Sequence, residues 1–354
     1  MKHLKKKLTI ILLLKERKDF TQRFLLFFSK LPQEYKLLIA DGSKKVLSKN
    51  YFQPLIKNNV DFKYCKFPYD KNLKTFINKI YKSLLIVETE YVMLFDNDDF
   101  PVKSALDRCI IALDNRKDLI GCGGYLLNFT LFAGKLAGNP IHLSKINYGG
   151  KYIQKKSIDR VSSFLLGKIN VNTINDIFRT KILKNTYKVI KNVNFKYIYF
   201  YFLLVDILNY YKGKVLKLDI PFILHQHHPE GMSNTMKTIY ETANNRIFIS
   251  HKKTFYNLLQ KKIKNKKIHA LLDKYFIIIN SRSSKYKLRF SDTKKLNFIF
   301  LLKVYAKIKN KFLFYFNTHI TCFFKNFKYP FLKKEIMNIL IFIKNYSLLL
   351  NKSR

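Results

Sequence analysis

A repeated order of short apolar runs and amphipathic segments across residues 1–130 constrains the fold more than any other feature. Leu8–Leu14 is an uninterrupted apolar run of the length of a buried strand, and the phenylalanines that follow it recur at helical spacing up to Pro32. Further strands are predicted at 35–40, 61–67, 91–95 and 119–127, with helical patterns at 73–84 and 102–113. Because strand–helix–strand units give parallel strands covered by helices, the sequence predicts an α/β fold with a mostly parallel sheet flanked by helices.

Polar residues follow three of these predicted strands at the point where each strand ends. They are Lys15-Glu16-Arg17, Asp41-Gly42-Ser43 and Asp96-Asn97-Asp98-Asp99. In open parallel sheets, ligands bind beyond the carboxyl ends of the strands. We therefore expect the three polar segments to meet at one edge of the sheet and to form the functional site.

The acidic segment carries the clearest chemical signal. Three carboxylates within four residues repel one another, and a cation relieves that repulsion. Mg²⁺ and Mn²⁺ prefer carboxylate oxygens and commonly bridge them to substrate phosphates, so a Mg²⁺ or Mn²⁺ cofactor is predicted. Considered alone, the segment is more typical of a solvated acidic turn near a helix N-terminus.

The context of the acidic segment resembles a known enzyme family. An opening apolar strand, a D-G-S turn at Asp41, and an apolar strand that runs into Asp96-Asn97-Asp98-Asp99 occur here in the order found in the family-two inverting glycosyltransferases of GT-A fold. The resemblance covers residues 7–130 well and 150–230 loosely. It implies a Rossmann-like GT-A fold and transfer of a sugar from a nucleotide-diphosphate donor, most often a UDP-sugar, to a saccharide or lipid-linked acceptor. The expected setting is bacterial surface glycan synthesis, such as that of lipopolysaccharide or capsule.

The resemblance also implies roles for single residues. Asp41 would lie near the base or ribose, and Arg17 would reach the nucleotide. Asp96 would contact both nucleotide and metal, Asp98 would be a metal ligand, and Asp99 would complete the nucleotide-sugar site. The turn at Asp41 has one Asp where family members often have two, so base recognition is expected to differ.

The catalytic base is harder to assign. An inverting transferase needs a carboxylate that accepts the proton of the acceptor hydroxyl. The family supplies it from an acidic pair at a helix start, and no such pair occurs here. Asp206 lies inside an apolar helical stretch, where an unpartnered carboxylate is costly, so it is predicted as the base. A hydrogen-bonded structural role is the competing interpretation, and Asp159 and Asp176 are the other candidates.

A histidine-rich run, His225-Gln226-His227-His228, follows a predicted strand at 214–224. Strand alternation would place His225 and His227 on one face, so His227 is predicted as a third metal ligand. A polar loop after the strand is the alternative.

The charge distribution separates a basic C-terminal region from the rest. The 354 residues include 67 Lys and Arg against 23 Asp and Glu, a net charge of +44, and residues 251–354 hold 25 of the basic residues with three acidic ones. We predict a GT-A domain at 1–240 and a basic helical extension at 241–354 that contacts an anionic membrane surface. A general lysine bias of the genome explains the composition equally well.

Two other function classes stay open at this stage. The basic surplus with interleaved aromatic residues is compatible with a nucleic-acid-binding protein without catalysis, although the acidic edge would repel phosphate. A nucleotidyltransferase needs the same carboxylate, metal and phosphate arrangement. The four cysteines show no metal-binding spacing and indicate a reducing compartment. A cytoplasmic protein, peripheral on the inner face of the membrane, is the expected localisation.

Overall fold

The computed structural model describes residues 7–31, 34–132, 134–146, 152–167, 174–228, 242–243, 245–291 and 330–353. In this part of the chain nine strands form one sheet, with helices on both of its faces. The strands are β1 (Leu8–Leu14), β2 (Lys36–Asp41), β3 (Phe62–Lys66), β4 (Tyr91–Asp96), β5 (Phe100–Pro101), β6 (Leu119–Leu131), β7 (Pro140–Ile146), β8 (Ile177–Arg179) and β9 (Lys214–Gln226). The α-helices are α1 (Lys18–Phe28), α2 (Gln53–Lys57), α3 (Leu73–Ile86), α4 (Lys103–Asn115), α5 (Ser157–Leu165), α6 (Thr180–Ile190), α7 (Ile198–Lys212), α8 (Arg246–Lys262), α9 (Lys266–Ser291) and α10 (Pro330–Ser353).

The first four strands are parallel and stand in the order β3-β2-β1-β4. The α/β architecture predicted for residues 1–130 is therefore confirmed. The register also brings the polar strand ends together, because Leu14 pairs with Asp41 and Leu13 pairs with Asp96. The three polar segments thus meet at one edge of the sheet, as the sequence predicts.

The other half of the sheet is mixed. β8 is antiparallel to both β4 and β6, and β5 is antiparallel to β9, whereas β6 and β9 are parallel. β7 folds back on β6 as a hairpin, a connection that only antiparallel strands permit. The sequence pattern predicts β6 and β9 of this half but not β5 and β8, which have only two and three residues.

The sheet separates two hydrophobic clusters, and the C-terminal helices join both of them. α8 and α9 pack with α3 and α5–α7 on one face, and α10 packs with α1, α2 and α4 on the other. Side chains from residues 241–354 therefore complete the cores built by residues 1–240, so the predicted boundary at 240 does not divide two hydrophobic cores. No described helix is long and apolar enough to span a membrane.

Candidate functional site

A left-handed turn after β1 aims a guanidinium at the acidic segment. Glu16 and Arg17 have φ values of 57° and 53°, a conformation that costs a non-glycine residue about 1 kcal/mol or more. Three hydrogen bonds hold the turn. Glu16 N donates to Ser43 Oγ at 2.7 Å, Lys44 N donates to Glu16 Oε1 at 2.8 Å, and Asn97 Nδ2 donates to the Arg17 carbonyl at 3.3 Å. The turn is thus built from all three polar strand ends.

Asp98 receives two partners at the centre of this edge. Its Oδ2 accepts a hydrogen bond from Arg17 Nη1 at 2.6 Å and lies 2.8 Å from His228 Nε2. Burial alone would raise the pKa of Asp98, but the hydrogen bond with His228 and the charge of Arg17 outweigh it and hold the pKa below its usual range. Asp98 is therefore an ionised carboxylate neutralised from the β1 turn and from the end of β9.

Asp99 is enclosed beside it. Its side chain is fully buried, lies 2.8 Å from His225 Nδ1, and accepts a hydrogen bond from Gln226 N at 3.2 Å. The Asp99 carboxylate raises the pKa of His225 to about 9 against the effect of burial. Burial raises the pKa of Asp99 itself, which the charge of His225 opposes. The pair ties the acidic segment to β9 and leaves Asp99 no open face.

Asp96 is the acidic residue of this segment that remains open. It ends β4, is half-buried, and makes no side-chain hydrogen bond within the described part of the chain. Burial and then the charges of Asp98 and Asp99 raise the pKa of Asp96 to about 7. A cation or a hydrogen-bond donor of a ligand can therefore reach this carboxylate and gain more than it would from a solvated one.

Asp41 holds the D-G-S turn. It is fully buried, its Oδ1 accepts from Ser43 N at 2.8 Å, and its Oδ2 accepts from Tyr64 Oη at 2.6 Å. The turn needs glycine, because a Cβ atom at Gly42 would collide with the Asp70 carboxylate. Because Asp41 has no exposed surface, a contact between it and a base, as the sequence predicts, would require the side chains around it to move.

A buried ion pair stabilises the same edge of the sheet. Lys79 on α3 pairs with Asp70, and both side chains are about 1% exposed. Lys79 Nζ also donates to the Leu14 carbonyl at 2.7 Å, directly before the left-handed turn. Nothing in the sequence pattern singles out this pair, since it joins residues of a loop and a helix that become neighbours only in the fold.

The predicted base is not at this edge. Asp206 is 2% exposed within α7, and its charge acts on the buried Tyr187 of α6. An acceptor hydroxyl cannot reach a carboxylate packed between helices, so the structure does not support the base role that we predicted. Asp176 forms a buried ion pair with Lys217 at 2.6 Å, and Asp159 lies exposed in the first turn of α5.

The histidine run is arranged differently from the prediction. His225 and His228 contact the acids, whereas His227, predicted as a metal ligand, is exposed between them. The alternation that would pair residues 225 and 227 stops because β9 ends at Gln226. His228 is then 4% exposed and stacks on the ring of Phe20, with centroids 4.7 Å apart. The sequence carries no signal that separates these three histidines.

Two further side chains, missed by the sequence analysis, tie a loop to the acidic segment. Arg23 is fully buried between the rings of Phe20 and Phe100, donates from Nη2 to the Asp98 carbonyl at 3.2 Å, and donates from Nη1 to the Leu136 carbonyl at 3.1 Å. Gln226 Nε2 donates to the Lys135 carbonyl at 2.8 Å. The β6–β7 loop is therefore attached at two successive carbonyls to Arg23 of α1 and Gln226 of β9, which also bond to Asp98 and Asp99.

The metal prediction can be compared with this geometry. The described residues hold no group of three His, Cys, Asp or Glu side chains that could bind a metal ion. Asp98 Oδ2 is shared by Arg17 and His228, and Asp99 is enclosed. Mg²⁺ is commonly held by one or two carboxylates together with phosphates and water. Within the acidic segment, Asp96 is therefore the carboxylate that is open to an ion bridged to phosphate oxygens of a ligand.

Comparison with known proteins gives structural matches only. No family model and no curated protein sequence matches the chain. The solved structures that match include TarS of S. aureus, with 16% identity over 72% of this chain and 43% of TarS, at a TM-score of 0.43. TarS 1–349 in complex with UDP-GlcNAc matches with 14% identity over 78% of this chain and 82% of that one, at a TM-score of 0.45. The chain spans less than half the length of the longer TarS structure. At these values the similarity does not assign a family.

Proposed function

We propose that this protein is a glycosyltransferase that moves a sugar from a nucleoside-diphosphate donor to a glycan or lipid-linked acceptor. The observation that carries the proposal is the Arg17–Asp98–His228 contact at the carboxyl ends of β1, β4 and β9, beside the open carboxylate of Asp96. Ligands of parallel sheets bind beyond such strand ends. The guanidinium can bind anionic phosphate, and the carboxylates beside it can bind a cation, so the site suits a ligand that carries both.

The proposed chemistry follows from where charge develops. As the sugar leaves the donor, negative charge grows on the nucleoside diphosphate. Arg17 is 26% exposed, and its planar fork suits phosphate oxygens, so it can stabilise that charge once it releases Asp98. A divalent ion held by Asp96, Asp98 and the phosphates would neutralise the same leaving group. The acceptor would lie on the side of the β6–β7 loop. We also propose that transfer inverts the configuration at the sugar carbon that is attacked.

Donor binding and turnover test the proposal. UDP-GlcNAc, present in one of the matched complexes, is the first probe, followed by other nucleotide sugars, with and without Mn²⁺. We expect a donor to raise the apparent melting temperature and the products to include a nucleoside diphosphate. Asp98→Asn should lower turnover about 100-fold, in the range of a lost transition-state contact. Asp118→Asn, which removes an exposed carboxylate in surface ion pairs, is the matched control.

Two results would overturn the proposal. Release of pyrophosphate from a nucleoside triphosphate would assign nucleotidyl transfer, the competing enzyme class. Absence of donor binding with every nucleotide sugar, together with tight binding of RNA or DNA that weakens steeply with salt, would assign a nucleic-acid-binding protein.

The metal is tested separately. Because the described side chains provide fewer than three ligands, Mn²⁺ should bind weakly to the protein alone and at least about tenfold more tightly in the presence of UDP. Electron paramagnetic resonance of free Mn²⁺ measures both cases. Equal Mn²⁺ affinity with and without UDP would contradict a metal site shared with phosphates.

A further inference from the structure

Helix α10 has an apolar inner side and also carries a line of two exposed apolar residues on its outer side. Its inner side chains fill the cluster formed by α1, α2 and α4. They are Leu332, Ile336, Ile339, Leu340, Phe342, Ile343 and Tyr346. On the outer side Ile341 is 50% exposed and Leu348 is 61% exposed. These two residues are seven positions apart, so they lie two turns apart on one line of the helix. A helix with apolar residues on its outer face is typical of one that packs against a second apolar phase.

The charges around this line have one sign. Lys334 lies seven positions before Ile341 and is exposed on the same line, and the exposed Lys344 flanks it. The acidic residue of α10, Glu335, is turned inward, where its carboxylate accepts hydrogen bonds from Lys103 N at 2.5 Å and Ser104 N at 3.2 Å at the start of α4. In the sequence just before the helix, residues 293–329 contain eight lysines and no acidic residue. The outer surface of α10 is therefore apolar and cationic.

We propose that this outer line of α10, formed by Lys334, Ile341, Lys344 and Leu348, is a docking surface for an anionic lipid membrane. An interfacial helix buries an apolar line at the headgroup boundary and keeps lysines at its flanks, where they meet anionic lipid. Charge separates this line from α9, and spacing separates it from the basic helix α8, whose exposed Ile247 and Ile249 are two positions apart and do not share a face. Ile277 of α9 is 66% exposed, yet the acidic Asp273 lies one turn before it. This inference narrows the membrane contact expected from composition to one helix face and does not depend on the proposed reaction.

The inner side of the same helix reaches the acidic segment through two packed rings. Phe342 lies between Phe27 and Phe100, with ring centroids 5.4 Å and 6.2 Å apart, and Phe100 directly follows Asp99. If a membrane contacts the outer line of α10, only the helix itself and the layer of packed rings separate it from the acidic segment. That placement suits an acceptor carried by a lipid.

Vesicle flotation of the full chain tests the docking surface. We expect binding to phosphatidylcholine vesicles that contain phosphatidylglycerol and much weaker binding to phosphatidylcholine alone. Lys334→Glu/Lys344→Glu should lower the partition coefficient by about 30-fold or more, at roughly fivefold per lost lysine. Lys82→Glu/Lys188→Glu changes the net charge equally at exposed positions of α3 and α6, on the other face of the sheet, and should have little effect.

The apolar contribution has its own pair of variants. Ile341→Ser/Leu348→Ser should lower partitioning by about tenfold or more. Leu85→Ser/Ile277→Ser, at residues 55% and 66% exposed on the other face of the sheet, is the matched control. Binding that both α10 variants leave unchanged would overturn the proposal. The proposal would also be overturned if the parent protein did not bind vesicles and gel filtration showed a dimer that Ile341→Ser/Leu348→Ser dissociates. The two substituted positions on α10 and the two control positions are all exposed. We therefore expect each variant to have a melting temperature within a few degrees of that of the parent protein, which would confirm that it folds.

Discussion

At the candidate site, the backbone of one residue is held in an unfavourable conformation that places its side chain on a neighbouring carboxylate. Arg17 occupies the left-handed region at φ 53°, and the bonds around it recover that cost by fixing its guanidinium on Asp98. We therefore expect Arg17→Gly to unfold with a free energy about 1 kcal/mol higher than that of Arg17→Ala, although both lose the ion pair. Urea unfolding of the two variants measures the difference.

The neighbouring helical residue provides the control for that comparison. Lys18 begins α1, so Lys18→Gly should be less stable than Lys18→Ala, the opposite order. The same order at both positions would show that the left-handed turn is not a property of the folded chain.

A second residue-scale prediction concerns pH. The Asp99 carboxylate raises the pKa of His225 to about 9 from 6.5, so protonated His225 stabilises the folded state. This stability is fully present below about pH 6.5 and is lost as pH rises through about 9. The parent protein should therefore lose about 3 kcal/mol more than His225→Asn between pH 6.5 and 9.5. Urea unfolding of both proteins across this range tests it, and parallel pH curves would contradict it.

Residue roles were the least predictable part of the site. Asp96, Asp98, Asp99 and Arg17 are identifiable from sequence because they follow apolar strands, and strand ends of a parallel sheet meet. His228 could not be separated from its neighbours, because its burial depends on where β9 ends and on the ring of Phe20. Such contacts join the beginning of the chain to the end of β9, and local periodicity does not encode pairings between segments so distant in sequence.

At the scale of elements, hydrogen bonds of a single buried side chain connect the β6–β7 loop to the acidic segment. The guanidinium of Arg23 joins the Asp98 carbonyl to the Leu136 carbonyl. Arg23→Met keeps much of the apolar bulk but leaves both carbonyls without this donor, so we expect a loss of about 2–4 kcal/mol. Hydrogen exchange of the amides of residues 134–139 should accelerate more than that of β1. Arg116→Met, at an exposed pair with Asp118, should change neither quantity noticeably.

Elements also differ in how far the sequence determined them. The β3-β2-β1-β4 half was predictable, since β1, β2 and β4 are apolar runs and amphipathic helices follow β1, β3 and β4. β5 and β8 were not, because strands of two and three residues are set by pairing with β9, β4 and β6 instead of by their own composition. The candidate site lies where these two halves of the sheet meet.

At the scale of the whole molecule, charge suggested a separate C-terminal region, but packing joins it to the rest. Ile336 of α10 and Phe255 of α8 are fully buried on opposite faces of the sheet, among side chains that belong to residues 1–240. If the chain is one cooperative unit, Ile336→Ala and Phe255→Ala should each lower the stability of the same single transition, by about 2–5 kcal/mol. Ile341→Ala, at a half-exposed position of the same helix, should cost well under about 1 kcal/mol. Calorimetry of the three variants distinguishes the cases. A second transition that Phe255→Ala alone shifts would show that α8 and α9 fold independently, and the boundary at residue 240 would then stand.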